Sequence, residues 1–181
     1  MSKILMILAE GFEETEAIAV ADVLRRAGLD LTIAGLSAQT VAGAHGIAVK
    51  ADCLLADVDA AGLNAVVLPG GMPGAMHLRD SDAVMQIVKT VYNNGGIAAA
   101  ICAAPIVLAR AGITDGKKIT AYPGFEKYLD KADYTGTLTQ VDGRVITGKG
   151  PGASFEFAAV IAEALGKGEQ VKTILANMFV K

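Results

Sequence analysis

Short runs dominated by apolar residues recur along the chain at residues 3–8, 31–36, 64–68 and 97–101, separated by longer stretches of helical spacing. Runs of that length that do not alternate with polar residues mark strands buried on both faces of a parallel sheet. Helical stretches are expected at 13–27, ended by Gly28, from Ser81 or Asp80 to Asn94, ended by Gly95, and after Pro105 up to Gly112. Two more are expected at 154–165, capped by Ser154 and ended by Gly166, and at about 171–178. Residues 43–50 are turn-rich and then alternate, as in a small antiparallel excursion, and residues 69–74 (PGGMPG) form a turn. A short strand at 119–121, one or two helical turns at 125–129 and a hairpin of 137–141 with 145–147 through Asp142-Gly143 complete the pattern. Repeated β-α alternation predicts an α/β fold: one domain over 1–181 with an open, mostly parallel sheet and helices on both faces.

Composition narrows the function classes. A chain of 181 residues, 52% hydrophobic, can bury a full core without staples. Its net charge of -3 supplies no basic field for nucleic acid or an anionic membrane. The longest uncharged apolar stretch, 97–109, contains a proline and falls short of the ~20 residues of a membrane helix. The apolar run at 3–8 is too short for a signal h-region, and the two cysteines are far apart, so a reducing, cytoplasmic setting is expected.

Ligands of open parallel sheets bind beyond the carboxyl ends of the strands, here the loops at 9–12, 69–74 and Cys102. Cys102 follows the run 97–101 and precedes Ala103, Ala104 and Pro105, where a helix begins. Small residues on either side suit a tight strand-to-helix elbow that lifts a nucleophile, and the helix's positive end favours thiolate. Glu16 shares a helical stripe with Val20, Val23 and Ala27, so its carboxylate is expected in the core, where it must be paired or protonated. Glu13 and Glu14 read as first-turn acids complementing the helix dipole, and Arg25 and Arg26 as a charge pair at its end. Gly70-Gly71, with the amide of Ala103, suits an oxyanion pocket, or else an ordinary turn. The GKGPGA segment at 148–153 matches a dinucleotide fingerprint only superficially, because no strand with a ribose-binding acid follows it. His45 and His77 both precede Cys102, each a surface residue or a crevice-rim residue. Cys53 lacks any such context, and the cysteines lack metal-ligand spacing, so no metal is expected.

The segments LAEGFEETE (8–16), DVLRRAG (22–28), VVLPGGMPGA (66–75), AAICAAP (99–105) and GKGPGASFEFA (148–158) together resemble the ThiJ/PfpI superfamily, in the branch of the DJ-one deglycases and their bacterial relatives. The resemblance implies a flavodoxin-like fold, Cys102 as nucleophile, Glu16 as its protonated partner, and the Gly71 and Ala103 amides as oxyanion donors, with Gly70 beside them. It further implies a homodimer with the site near the interface, where Arg26 and, from the other subunit, His45 would contact substrate, and where Ile18 would be a dimer contact. Tyr122 stands where many members have a histidine, which removes a Cys-His relay and leaves Glu16 as the acid/base. The activity implied is cofactor-free conversion of small dicarbonyls such as methylglyoxal, or of their glycated adducts, in defence against carbonyl and oxidative stress. The alternatives are a redox-sensing chaperone acting through oxidation of Cys102, and a cysteine-dependent amidase, isonitrile hydratase or peptidase.

Overall fold

Strand β1 (Lys3–Leu8) turns Ile4, Met6 and Leu8 to one face of the sheet and Leu5 and Ile7 to the other, and all five are buried. That two-sided burial follows from side chains alternating across a strand with helices on both faces. The computed structural model describes residues 2–180. From β1 the chain continues through α1 (Glu14–Arg26), β2 (Asp30–Gly35), the antiparallel hairpin β3 (Thr40–Ala42) and β4 (Ala48–Lys50), and β5 (Cys53–Leu54). It then forms β6 (Ala65–Leu68), α2 (Gly74–Asp80), α3 (Asp82–Asn93), β7 (Ile97–Ile101) and α4 (Pro105–Arg110). The last part comprises β8 (Lys118–Ile119), β9 (Asp133–Tyr134), β10 (Thr139–Asp142), β11 (Val145–Gly148), α5 (Ser154–Ala164) and α6 (Gly168–Asn177).

The seven-stranded sheet has the order β10-β11-β7-β6-β1-β2-β5, parallel except for β10 against β11. One apolar cluster joins the even-numbered side chains of β1 to Val20 and Leu24 of α1, Phe157 and Ile161 of α5 and Val171 of α6. The other joins Leu5, Ile7, Val66 and Leu68 to Leu78 of α2, Val84, Val88 and Val91 of α3 and Ile106 to Leu108 of α4. Helix α1 therefore leaves β1 on one face and α2 leaves neighbouring β6 on the other. That divergence opens the crevice in which doubly wound sheets hold ligands. No helix among the described residues is long and apolar enough to cross a membrane.

Several details depart from the sequence pattern. The turn expected after Pro73 is helix α2, which packs Ala75 and Leu78 into the core before Ser81 caps α3 by accepting from the Val84 N–H. Ser154 does not cap α5: it is the first helical residue, and its hydroxyl donates to the Pro151 carbonyl at 2.7 Å. The strand expected at 119–121 is the shorter β8, which pairs with β9 outside the main sheet. Cys53 lies in β5 at the sheet's edge.

Candidate active site

Cys102 directly follows β7 with φ at +63°, a left-handed conformation that costs a non-glycine residue free energy and persists only when its surroundings impose it. Two main-chain hydrogen bonds do so: Cys102 N–H donates to the Gly148 carbonyl at 2.8 Å, and Tyr122 N–H donates to the Cys102 carbonyl at 2.9 Å. With that carbonyl held by Tyr122, the Ala103 N–H of the same peptide unit and the Gly71 N–H act on the Cys102 sulfur to favour its charged form. The elbow expected from the small residues around Cys102 is thus present.

Glu16 is fully buried in the first turn of α1, on the stripe with Val20 and Val23. Its Oε2 accepts the Gly70 N–H at 2.8 Å and its carboxyl lies against the Cys102 thiol, while Oε1 has no hydrogen-bond partner among the described residues. The Gly70 amide is therefore spent on Glu16, and the donors left facing sulfur are Gly71 and Ala103. A side chain at Gly70 has nowhere to go: an added β-carbon would lie 2.7 Å from Cys102 Cβ, 2.8 Å from Glu16 Oε2 and 2.9 Å from Ala103 N.

Burial lifts the Glu16 carboxyl from 4.5 to about 7; its bonds with Cys102 and Gly70 act against that, and Glu13 adds to it. Burial also pushes the Cys102 thiol well above its usual range, reinforced by the Glu16 carboxylate and opposed by the Gly71 and Ala103 N–H groups. The helix-end argument by itself favoured thiolate; desolvation, with an ionised Glu16 adding to it, overrides that preference. The two groups titrate as a pair. Thiolate forms most readily when the proton stays on Glu16, because this removes the like charge beside the sulfur.

Glu13 and Glu14 do more than complement a dipole. Glu13 Oε2 accepts the Glu16 N–H at 2.6 Å as the cap of α1, and Glu13 N–H holds the Gly70 carbonyl at 2.9 Å. Glu14, buried, takes His45 N–H at 2.7 Å and His45 Nδ1 at 2.8 Å on its two oxygens, with Ile47 N–H at 3.3 Å. Burial works to raise the Glu14 pKa, but these bonds outweigh it and hold it at about 2. They tie the β3–β4 turn to the start of α1. Nothing local separates Glu14 from Glu13 in the sequence, so this tether was not foreseen. Replacing Glu14 with alanine is expected to free that turn, at about 1–3 kcal/mol for lost bonds to a charged group, seen as faster hydrogen exchange at His45 and Ile47 with β1 amides unchanged.

The remaining candidates fall at varied distances. Tyr122, half-exposed, borders the site through its main chain, with its ring against Gly150. His45 is exposed and paired with Glu14. His77 Nδ1 lies 3.1 Å from the Glu10 carbonyl, on a crevice of about 560 Å³ at the ends of β1 and β2. Arg25 pairs with Asp52 at 2.7 Å and Arg26 with Asp22 at 2.8 Å. Within one chain Arg26 sits about 15 Å along α1 from Glu16 at 1.5 Å rise per residue. Glu13, Glu14 and His45 bring ligand atoms within 4.8 Å of one another. Those atoms already cap α1 and hold the turn, so a cation there would displace both.

The DJ-1/PfpI family profile matches residues 2–164. The chain belongs to the DJ-1/PfpI family. It is 42% identical over 179 residues to the Drosophila melanogaster protein dj-1beta, covering 97% of this chain and 96% of that one. It is 35% identical over 175 residues to the Caenorhabditis elegans protein named glutathione-independent glyoxalase DJR-1.2, covering 96% and 94%. Among solved structures, Drosophila melanogaster DJ-1beta superposes over 100% of both chains at a TM-score of 0.95 and 40% identity. The oxidized form of Toxoplasma gondii DJ-1 superposes at 0.92 and 36%, covering 99% of this chain and 98% of that one. The family membership and flavodoxin-like sheet expected from the motifs at 8–16, 66–75 and 99–105 are borne out.

Proposed function

We propose that this chain is a cofactor-independent glyoxalase that converts methylglyoxal and glyoxal to hydroxy acids, and that their early adducts enter the same route once the amine or thiol they carry has left. The observation that carries this reading is the convergence of Cys102, the buried Glu16 carboxyl and the Ala103 amide around Gly70, with the Gly71 and Ala103 N–H groups favouring negative charge on the sulfur. The name of the Caenorhabditis elegans relative supports it.

The Cys102 thiolate adds to the aldehyde carbon; a sulfur–carbon bond forms and the carbonyl electron pair moves to oxygen. The two amides hold that oxyanion. Glu16 passes its proton to the oxygen and, now ionised, takes the proton from the carbon bearing sulfur and returns it to the neighbouring carbon, while the hydroxyl proton moves to that carbon's own oxygen. The resulting thioester is hydrolysed by water to lactate or glycolate, which frees the thiol. The sum is addition of one water, with no external oxidant. The site works in a homodimer, for which Ile18 and Ile47, 44% and 59% exposed, supply apolar contact surface.

The test is hydroxy-acid production from methylglyoxal in metal-free buffer without thiols or amines. Turnover is expected from the wild type, none above background from Cys102→Ser, and about 10²–10³-fold less from Glu16→Gln. A folded, reduced wild type without turnover overturns the reading. A second reading, redox sensing, is favoured by the unpartnered Glu16 Oε1, which could hold a sulfinate, and by the oxidized Toxoplasma relative. Mild peroxide would then add two oxygens to Cys102, and oxidation stopping at one oxygen would overturn it.

A further inference from the structure

We propose that Glu13 is a positioning residue for the reaction at Cys102, fixing the Glu16 carboxyl and the Gly71 N–H relative to each other through Gly70. The inference rests on the glyoxalase reading above and adds to it a residue that does not touch substrate. Glu13 and Glu16 stand three apart at the start of α1, the spacing of a capping box. In such a box the first side chain accepts the N–H of the second residue, and the second carboxylate reaches back to the N–H of the first. Only the first of these bonds forms here: Glu13 Oε2 accepts the Glu16 N–H at 2.6 Å. The other two groups turn to Gly70, whose carbonyl accepts the Glu13 N–H at 2.9 Å and whose N–H donates to Glu16 Oε2 at 2.8 Å. The three bonds close a circuit within one chain, with Gly70 inserted between the cap and the acid.

Both groups that the reaction needs hang from this circuit. The Gly70 carbonyl and the Gly71 N–H belong to one planar peptide unit, so the bond from Glu13 sets the plane in which that N–H lies. Tyr122 does the same for the Ala103 N–H by holding the Cys102 carbonyl, and these two N–H groups favour charge on the Cys102 sulfur. The fully buried Glu16 carboxyl is held at Oε2 by Gly70 and, through its own main chain, by Glu13. Gly71 is packed so closely that an added β-carbon would overlap Glu13 N, so a shift of the cap is passed on to the 70–71 turn. Losing the Glu13 side chain therefore displaces the acid and the oxyanion donor together.

Glu13→Ala removes the cap, whereas Glu13→Gln retains a side-chain oxygen that can accept the Glu16 N–H. With methylglyoxal as substrate, Glu13→Ala is expected to lower kcat and kcat/KM together by about tenfold or more, because misplaced groups act on the transition state rather than on binding. Glu13→Gln is expected to recover most of that loss. Amide hydrogen exchange at Gly70 reads the circuit without turnover. It should quicken in Glu13→Ala and return toward the wild-type rate in Glu13→Gln, while Val20 and Val23, farther along α1, keep their protection. An undisturbed Gly70 amide in Glu13→Ala, exchange that quickens equally at Val20 and Val23, a rise in KM alone, or equal losses in the two variants overturns the proposal. A wild type without turnover, its Gly70 amide still following the cap, overturns the glyoxalase reading alone.

Discussion

Replacing Glu16 with glutamine is expected to make stability less sensitive to pH, because it removes the one buried carboxyl beside Cys102. In the wild type the carboxyl has a pKa of about 7 folded against 4.5 unfolded. Between those values the native state binds more protons, so stability falls as pH rises through that window and the loss is complete above it. A displacement of that size corresponds to about 3 kcal/mol at 1.36 kcal/mol per unit. Glutamine can still accept the Gly70 N–H and cannot ionise. Denaturant unfolding of both proteins at about pH 4 and pH 8 should show the wild type losing about 3 kcal/mol more than the variant between the two. Parallel pH profiles would show that Glu16 is ionised in the folded protein as readily as in the unfolded chain. Titrating groups that do not touch Glu16, Glu14 included, are common to both proteins and cancel in the comparison.

Gly70→Ala is expected to cost at least about 10² in kcat/KM, the scale of a displacement of about 1 Å within a reacting constellation. The added methyl would fall under 3 Å from Cys102 Cβ, Glu16 Oε2 and Ala103 N. The first and last belong to or adjoin the main chain, and the Glu16 carboxyl is held by full burial and its bond to the Gly70 N–H, so Cys102, Glu16 or the Ala103 amide must move. Overpacking of this kind costs about 1–3 kcal/mol of stability, small enough for the variant to fold. Kinetics with methylglyoxal beside a thermal melt separate the two effects, and near wild-type kcat/KM in a folded Gly70→Ala protein would refute the convergence of these three groups.

Much of this architecture is legible locally. The unbroken apolar runs of β1, β6 and β7 and the glycine stops behind α1 and α3 place the sheet and its helices, because burial on two faces and left-handed helix ends restrict residue type one position at a time. The same holds for Glu16, whose helical stripe with Val20 and Val23 sends it inward, and for Cys102, whose neighbours are small enough for an elbow. Helix α2 was less legible: Pro73-Gly74 reads as a turn, and only the packing of Ala75 and Leu78 against the sheet makes it helical. The tether from Glu14 to the β3–β4 turn spans 31 residues, and no local pattern announces it.

The sequence by itself determined which residues are apolar, small or acidic at each turn of helix and strand, and hence the class of fold, the buried carboxylate and the thiol at a strand's end. Only the tertiary structure decided what those groups do to one another. The Gly70 amide serves Glu16 across 54 residues, and Gly148 and Tyr122 hold the Cys102 main chain in its left-handed turn. The direction of the thiol's shift, upward through burial and the neighbouring carboxylate, reverses what the helix end alone implied. Amide directions and desolvation depend on strand order and crevice depth, which exist only once the sheet has formed and long-range neighbours have displaced water.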